Sequence, residues 1–283
     1  MTSPASSKAP RASTAARCAS SARMPEFEAL VAEGAAEPTE GWDFSWFEGR
    51  ATEERPPWGY ARLAADRLGR AHASLDVQTG GAEVYAEALG NAASAPQTVA
   101  ATEEWPPNLA IARARLAPFG GQVSNAAGTD PLPFGDAAFD LVLARHPYGV
   151  PWDEIARVLE PGGTFLAQLI GWGTNRKLYE FFLGPQDDAH EDHGHEAVIR
   201  QRTAEAGLEI TRLEEAVTKV EFFDVGAVVY FLRKVLWTVP GFTVEKYRPE
   251  LARMHTLIEA NGSFTSYSRR FLVEATRDTL ATR

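Results

Sequence analysis

One cysteine, Cys18, occurs in 283 residues, so a disulfide framework and a cysteine metal site are both excluded, and a reducing compartment such as the cytoplasm is expected. Long apolar runs are lacking too: the longest candidates are broken by Arg233, Lys234 and Pro240, short of the roughly 18 residues that a membrane-spanning helix takes. No membrane contact is expected. Positive charge is scarce, with 28 Lys and Arg against 38 Asp and Glu for a net charge of −10. A surface built to neutralise many phosphates needs clustered cations, so nucleic acid is an unfavoured partner. Acids are missing before Glu26, and residues 1–24 are dominated by Ala, Ser, Arg, Thr and Pro. Such a composition buries too little apolar surface to offset the entropy of ordering, which predicts a disordered tail over 1–24.

What is present is a rhythm. Hydrophobic residues make up 45% of the chain, enough for one substantial core. Helical spacing in PEFEALVAEGA and WGYARLAADRLGR brackets GWDFSWFEGRATEERPPWGY, dense in aromatics and charges. Residues 25–68 are therefore read as an N-terminal helical lid, packed on the core or closing over a ligand. From residue 69 short apolar strands alternate with helices: SLDVQ, then AEVYAEAL; QTVAAT, then NLAIARARLAPFG; FDLVLAR, then WDEIARVLEPGG; and finally TFLAQLIG. Strands separated by helices imply right-handed crossovers and a doubly wound α/β domain with a mostly parallel sheet. LEITRLEEAVTKVEF and SRRFLVEAT read as a closing antiparallel pair. Two helical stretches between them form a cap insertion over about 224–262, within a domain running from 69 to 283.

The loop VQTGGAE, after the first of these strands, is where an open parallel sheet binds nucleotide-like ligands. Gly80 and Gly81 allow close backbone approach, and about twenty residues past Glu83 comes Glu103, placed to accept ribose hydroxyls. These signals alone permit NAD, FAD or S-adenosylmethionine. The segments LPFGDAAFD and RVLEPGG narrow the choice. With them the stretch from about 73 to 170 resembles the class I S-adenosylmethionine-dependent methyltransferases, in particular the type 11 group acting mostly on small molecules. The resemblance implies a Rossmann-like, seven-stranded, doubly wound sheet, S-adenosyl-L-methionine as cofactor and a small-molecule acceptor. It places the methionine part of the cofactor on Asp76, Gln78, Thr79, Gly80, Gly81 and Glu83, the ribose on Glu103 and the adenine near Asp130. Two departures stand out. Gln78 and Ala82 occupy the first and third glycine positions of the family loop, and Gly128 stands where the family often has an aspartate, for which Asp130 is a substitute.

Arg145 and His146, just past the third strand of the run, face the expected acceptor side. His146 is read either as a general base, its ordinary pKa being about 6.5, or as a structural histidine bonded to its loop. DDAHEDHGHE (187–196) holds three of the six histidines, but its spacing fixes no tetrahedral set, and no metal is expected. The lid and cap aromatics suggest an apolar or aromatic acceptor. Gln78 and Gly128 keep open a degenerate, non-catalytic fold, and methylation of RNA or protein is a further alternative.

Overall fold

A computed structural model describes residues 26–39, 44–126, 128, 131–187 and 194–279. The predicted tail 1–24 and Asp130 lie outside them. Five strands carry the parallel part of the sheet. They are β2 (Ala73–Val77), β3 (Thr98–Glu103), β4 (Gln122–Asn125), β5 (Phe139–Arg145) and β6 (Leu159–Ile170), joined to the antiparallel β7 (Leu208–Phe222) and β8 (Phe264–Arg277). A short N-terminal strand β1 (Ala51–Glu53) pairs with β7, giving the order β1-β7-β8-β6-β5-β2-β3-β4. The fold class read from the sequence is thus present with one strand more than expected. ATE has no apolar alternation, and β1 is a strand because Ala51 and Glu53 are in register with Phe222 and Val220.

Side-chain alternation in the parallel strands gives both faces an apolar coat, so helices cover both. On one face α2 (Tyr60–Leu68), α3 (Glu83–Asn91) and α4 (Pro106–Leu116) pack on Leu141, Leu143, Leu166 and Leu272. On the other, α5 (Trp152–Val158) and α7 (Glu196–Glu205) bring Ile155 and Ile199 to Val142, Phe165 and Phe271. The glycine stop expected for α5 comes too late: the chain is already extended at Leu159 (φ −73°, ψ 142°). Pro161 disfavours helix in the residue before it and cannot donate a helical hydrogen bond, so LEPGG joins β6 as its bulged start.

β7 and β8, of 15 and 14 residues, are the longest strands, and a third apolar cluster forms on their far end. It gathers α1 (26–36), α6 (Arg176–Leu183), α8 (Val225–Lys234) and α9 (Arg248–Asn261) around Phe222, Val228, Leu178 and Met254. Here α1 and α8 cross at two glycines. A Cβ on Gly34 would collide with the Gly226 carbonyl, so both positions require hydrogen. Trp46 and Phe47 lie against Tyr230 of α8, at 4.9 and 5.0 Å between ring centroids.

The two signature segments of the parallel half are physically one device. Arg157 of RVLEPGG forks onto Glu154 (2.8 and 2.7 Å) and donates to the Leu132 and Phe134 carbonyls and to Asp136 (3.0, 2.9 and 2.8 Å). Glu154 in turn accepts the Leu132 amide at 2.6 Å. Asp140, at the start of β5, accepts the amides of His72 and Ala73, each at 2.8 Å, and so sets the start of β2.

Candidate active site

β2 lies between β5 and β3, the position in an open sheet where the strand order reverses and a crevice opens beyond the strand ends. Its last residues and the following loop line that crevice. The loop backbone is left-handed at Gln78 (φ 55°), Gly80 (φ 64°) and Ala82 (φ 60°). A non-glycine residue there costs of order 1 kcal/mol, so Gln78 and Ala82 keep a glycine-type loop at an energetic cost. The loop is pinned to β3 by Gln78 N–H donating to Thr102 Oγ1 (3.0 Å) and Thr79 N–H donating to the Thr102 carbonyl (2.9 Å).

Two carboxylates stand at the ends of adjacent parallel strands. Asp76 is 6% exposed and accepts from Thr79 Oγ1 at 2.6 Å. Burial pushes its carboxyl up to about 7, against the opposing pull of that hydrogen bond and of Arg145. Glu103 accepts the amides of Glu104 and Trp105 through Oε1 (2.9 and 2.8 Å), and burial raises it while those amides and that of Gly80 restrain the rise. Asp76, Thr79, Gly80 and Glu103 are therefore brought together. Glu83 is drawn away, because its first-turn carboxylate pairs with Arg115 of α4 at 2.7 Å, and the same guanidinium takes the Gly81 carbonyl.

Gln78 is the point of departure. Its Nε2 donates to the Gly149 carbonyl (2.7 Å) and its Oε1 accepts the Tyr148 amide (2.8 Å), bridging to the loop after β5. The same amide lies on Gly128, where any Cβ would collide with it. The side chain thus crosses the crevice between three loops. The backbone cradle and the two carboxylates fit a cationic nucleoside cofactor, with the Gln78 amide held beside them by two main-chain hydrogen bonds.

Beyond Asp76 the α2-side face of the sheet continues through Arg145 and Gln168, which are in register across β5 and β6. Trp58 Nε1 donates to Gln168 Oε1 (2.7 Å), so the other end of that amide donates to His146 Nε2 (2.8 Å). His146 is left-handed (φ 55°), and its amide bonds the Gln168 carbonyl at 2.8 Å. Burial first, then Arg145 and Arg270, hold its imidazole well below the usual histidine range. It is a neutral imidazole whose Nε2 lone pair is already used. Tyr60 roofs the same place, its hydroxyl donating to the Ala144 and Leu166 carbonyls, each at 3.3 Å. Sequence reasoning missed Trp58, Tyr60, Gln168 and Arg270 here. PPWGY was the one visible signal, an aromatic pair after two prolines, whereas Gln168 and Arg270 sit inside strands with nothing to mark them. Most of DDAHEDHGHE lies outside the described residues, and among those described no cluster of three or more His, Cys, Asp or Glu could hold a metal.

The sequence pattern of a methyltransferase domain family matches residues 75–167. No curated protein sequence matches the chain. Among solved structures, a candidate methyltransferase from Bacillus halodurans is 20% identical over 77% of this chain and 96% of its own, with a TM-score of 0.53. A protein of unknown function from Deinococcus radiodurans is 18% identical over 90% of this chain and 99% of its own (TM-score 0.54). YcgJ from Bacillus subtilis is 15% identical over 77% and 96% (TM-score 0.50). At these identities the likeness speaks for the fold. The family match marks residues 75–167 as a methyltransferase domain, on a fold that these solved structures share.

Proposed function

We propose that the protein transfers a methyl group from S-adenosyl-L-methionine to a small-molecule acceptor. The observation that carries this reading is the pair Asp76 and Glu103 at the ends of adjacent parallel strands, flanking a loop left-handed at 78, 80 and 82. A ligand with ammonium and sulfonium charges favours a carboxylate such as Asp76, and Glu103 is at the position that accepts ribose hydroxyls. Thr79, Gly80 and Gly81 supply the backbone between them; Asp130 stays the candidate for the adenine. When bound, the cofactor supplies an electrophilic methyl on a good leaving group, so the protein's task is alignment and exclusion of water.

Trp58 and Tyr60 close the acceptor side. Arg145 and His146 face it, with His146 in a positioning role: a neutral imidazole already accepting the Gln168 amide does not take a proton near neutral pH. An acceptor that is itself a good nucleophile fits such a site. Calorimetric titration with S-adenosylmethionine and S-adenosylhomocysteine, with NAD as control, tests the reading. Binding of the first two alone is expected; binding of NAD alone, or of none, would overturn it. A second reading, a fold that no longer takes up cofactor, is motivated by the Gln78 bridge. It requires that S-adenosylhomocysteine bind Gln78→Gly and not the wild-type chain.

A further inference from the structure

Pro56 and Pro57 lead into Gly59, whose left-handed backbone (φ 62°) starts α2. The chain turns there, and Trp58 and Tyr60, on either side of the glycine, are both folded onto the sheet, 4% and 7% exposed. Trp58 ends on the side chain of Gln168, a buried polar group near the end of β6. Gln168 in turn holds His146 twice: its carbonyl accepts the His146 amide, and its side-chain Nε2 meets His146 Nε2, each at 2.8 Å. His146 lies two residues beyond Ala144, the partner of Val77 at the end of β2, and so at the mouth of the crevice. Its backbone is left-handed (φ 55°), a strained state that persists only where the surroundings over-determine it. Here Gln168 supplies two anchors for it.

The direction of this chain of bonds is forced. An indole N–H only donates, so the Gln168 atom 2.7 Å from it is the oxygen, and the other end of the amide carries N–H groups alone. His146 Nε2 must then accept. Which ring nitrogen of a histidine bears the proton is set by the bond that the other one makes, so a neutral His146 carries its proton on Nδ1. A second proton, on Nε2, would set N–H against N–H across 2.8 Å, and burial together with the charges of Arg145 and Arg270 disfavours the cation as well. His146 is half-buried, and its Nδ1 is neither bonded to a described residue nor sealed from solvent. Successive hydrogen bonds polarise one another, so the bonds fed from Trp58 make Nδ1–H a stronger donor.

We propose that Trp58 and Gln168 are positioning residues that lock His146 in its Nδ1–H tautomer, so that the ring offers the crevice a hydrogen-bond donor in place of a base. The lock stands on the geometry alone; its consequence for the substrate rests on the methyl-transfer reading. On that reading His146 Nδ1–H donates to a lone pair of the substrate. The class that fits carries a hydrogen-bond-accepting oxygen or nitrogen beside the atom to be methylated, and a substrate that must first lose a proton finds no base in this ring.

Long-range 1H–15N correlation on the full chain with 15N-labelled histidine reads which ring nitrogen bears the proton, and His146→Gln identifies the signals of His146 among the six histidines. At pH 7 wild-type His146 should be neutral and protonated at Nδ1. Gln168→Glu keeps an oxygen for Trp58 and puts a second oxygen in place of the Nε2 donor, so the proton should move to His146 Nε2. Trp58→Phe frees the Gln168 amide to turn over, and both neutral forms should appear. A wild-type ring protonated at Nε2, an imidazolium at pH 7, or an unchanged Nδ1–H pattern in either variant overturns the lock; the wild-type spectrum decides even where a variant does not fold. S-adenosylhomocysteine in the same samples separates this from the methyl-transfer reading. The Nδ1–H form in a chain that does not bind it keeps the lock and removes methyl transfer, whereas the Nε2–H form in a chain that binds it removes the lock alone.

Discussion

At the residue scale the crevice turns on Gln78 and Asp76. Gln78 holds a left-handed backbone and an amide bonded across the crevice to Tyr148 and Gly149. Gln78→Gly removes both the strain and the bridge, so S-adenosylhomocysteine should bind about tenfold or more tightly, as calorimetry would show; unchanged affinity would mean that the amide moves freely or is itself a contact. Asp76 has a carboxyl near 7 because it is buried. A folded-state pKa above the unfolded value of about 3.9 means that its contribution to stability is full below about pH 4 and lost as pH rises through about 7. A cationic ligand reverses this by favouring the carboxylate, so uptake of S-adenosylmethionine near pH 6 should release a proton and tighten toward pH 8. Asp76→Asn should abolish both the pH slope and the proton release, measured by calorimetry in buffers of different ionisation enthalpy. Sequence alone placed both residues where the first strand of the run passes into its loop. It could not tell that Gln78 bridges to Tyr148 and Gly149, a contact set by three loops meeting, nor that Glu83 turns to Arg115 on another helix.

At the element scale, local pattern and tertiary pairing decided different parts. The limits of β5 and β7 were legible to the residue in FDLVLAR and LEITRLEEAVTKVEF, where runs of β-branched and apolar residues fix the state. β4 and β1 were not, since QVSN and ATE are short and gain strand structure only from Val123 and Ala51 pairing with β3 and β7. The LPF and PGG segments were legible as a pair without their reason. That reason is Arg157, which forks onto Glu154 within α5 and ties the helix to the loop before β5 by three further hydrogen bonds. Arg157→Ala takes the guanidinium from Glu154 and leaves the Leu132 and Phe134 carbonyls without that donor, and should cost about 2 kcal/mol by denaturant unfolding, with loss confined to about 0.5 kcal/mol excluding this role. The α1–α8 crossing makes a similar demand. Gly34→Ala must push the helices apart against a backbone carbonyl, and a lowered melting temperature is expected where alanine in an open helix site would raise it.

At the scale of the whole molecule, the sheet carries a second, helical cluster on its two longest strands, β7 and β8. Leu75, Leu143 and Phe165, wholly buried in the parallel half, are enclosed by helices on both faces, whereas the distal cluster rests on one face of β7 and β8. Protection from amide exchange follows how much structure must open to free a group. Amides of β2, β5 and β6 should therefore exchange only through global unfolding, and those of α1, α8 and α9 through a smaller opening of the distal body. Hydrogen exchange read by mass spectrometry, with and without S-adenosylhomocysteine, should show slowing at 78–82, 103–105 and 146–149 while α8 and α9 are unchanged. Slowing of α8 and α9 by that ligand alone would mean that the two clusters open and close as one unit.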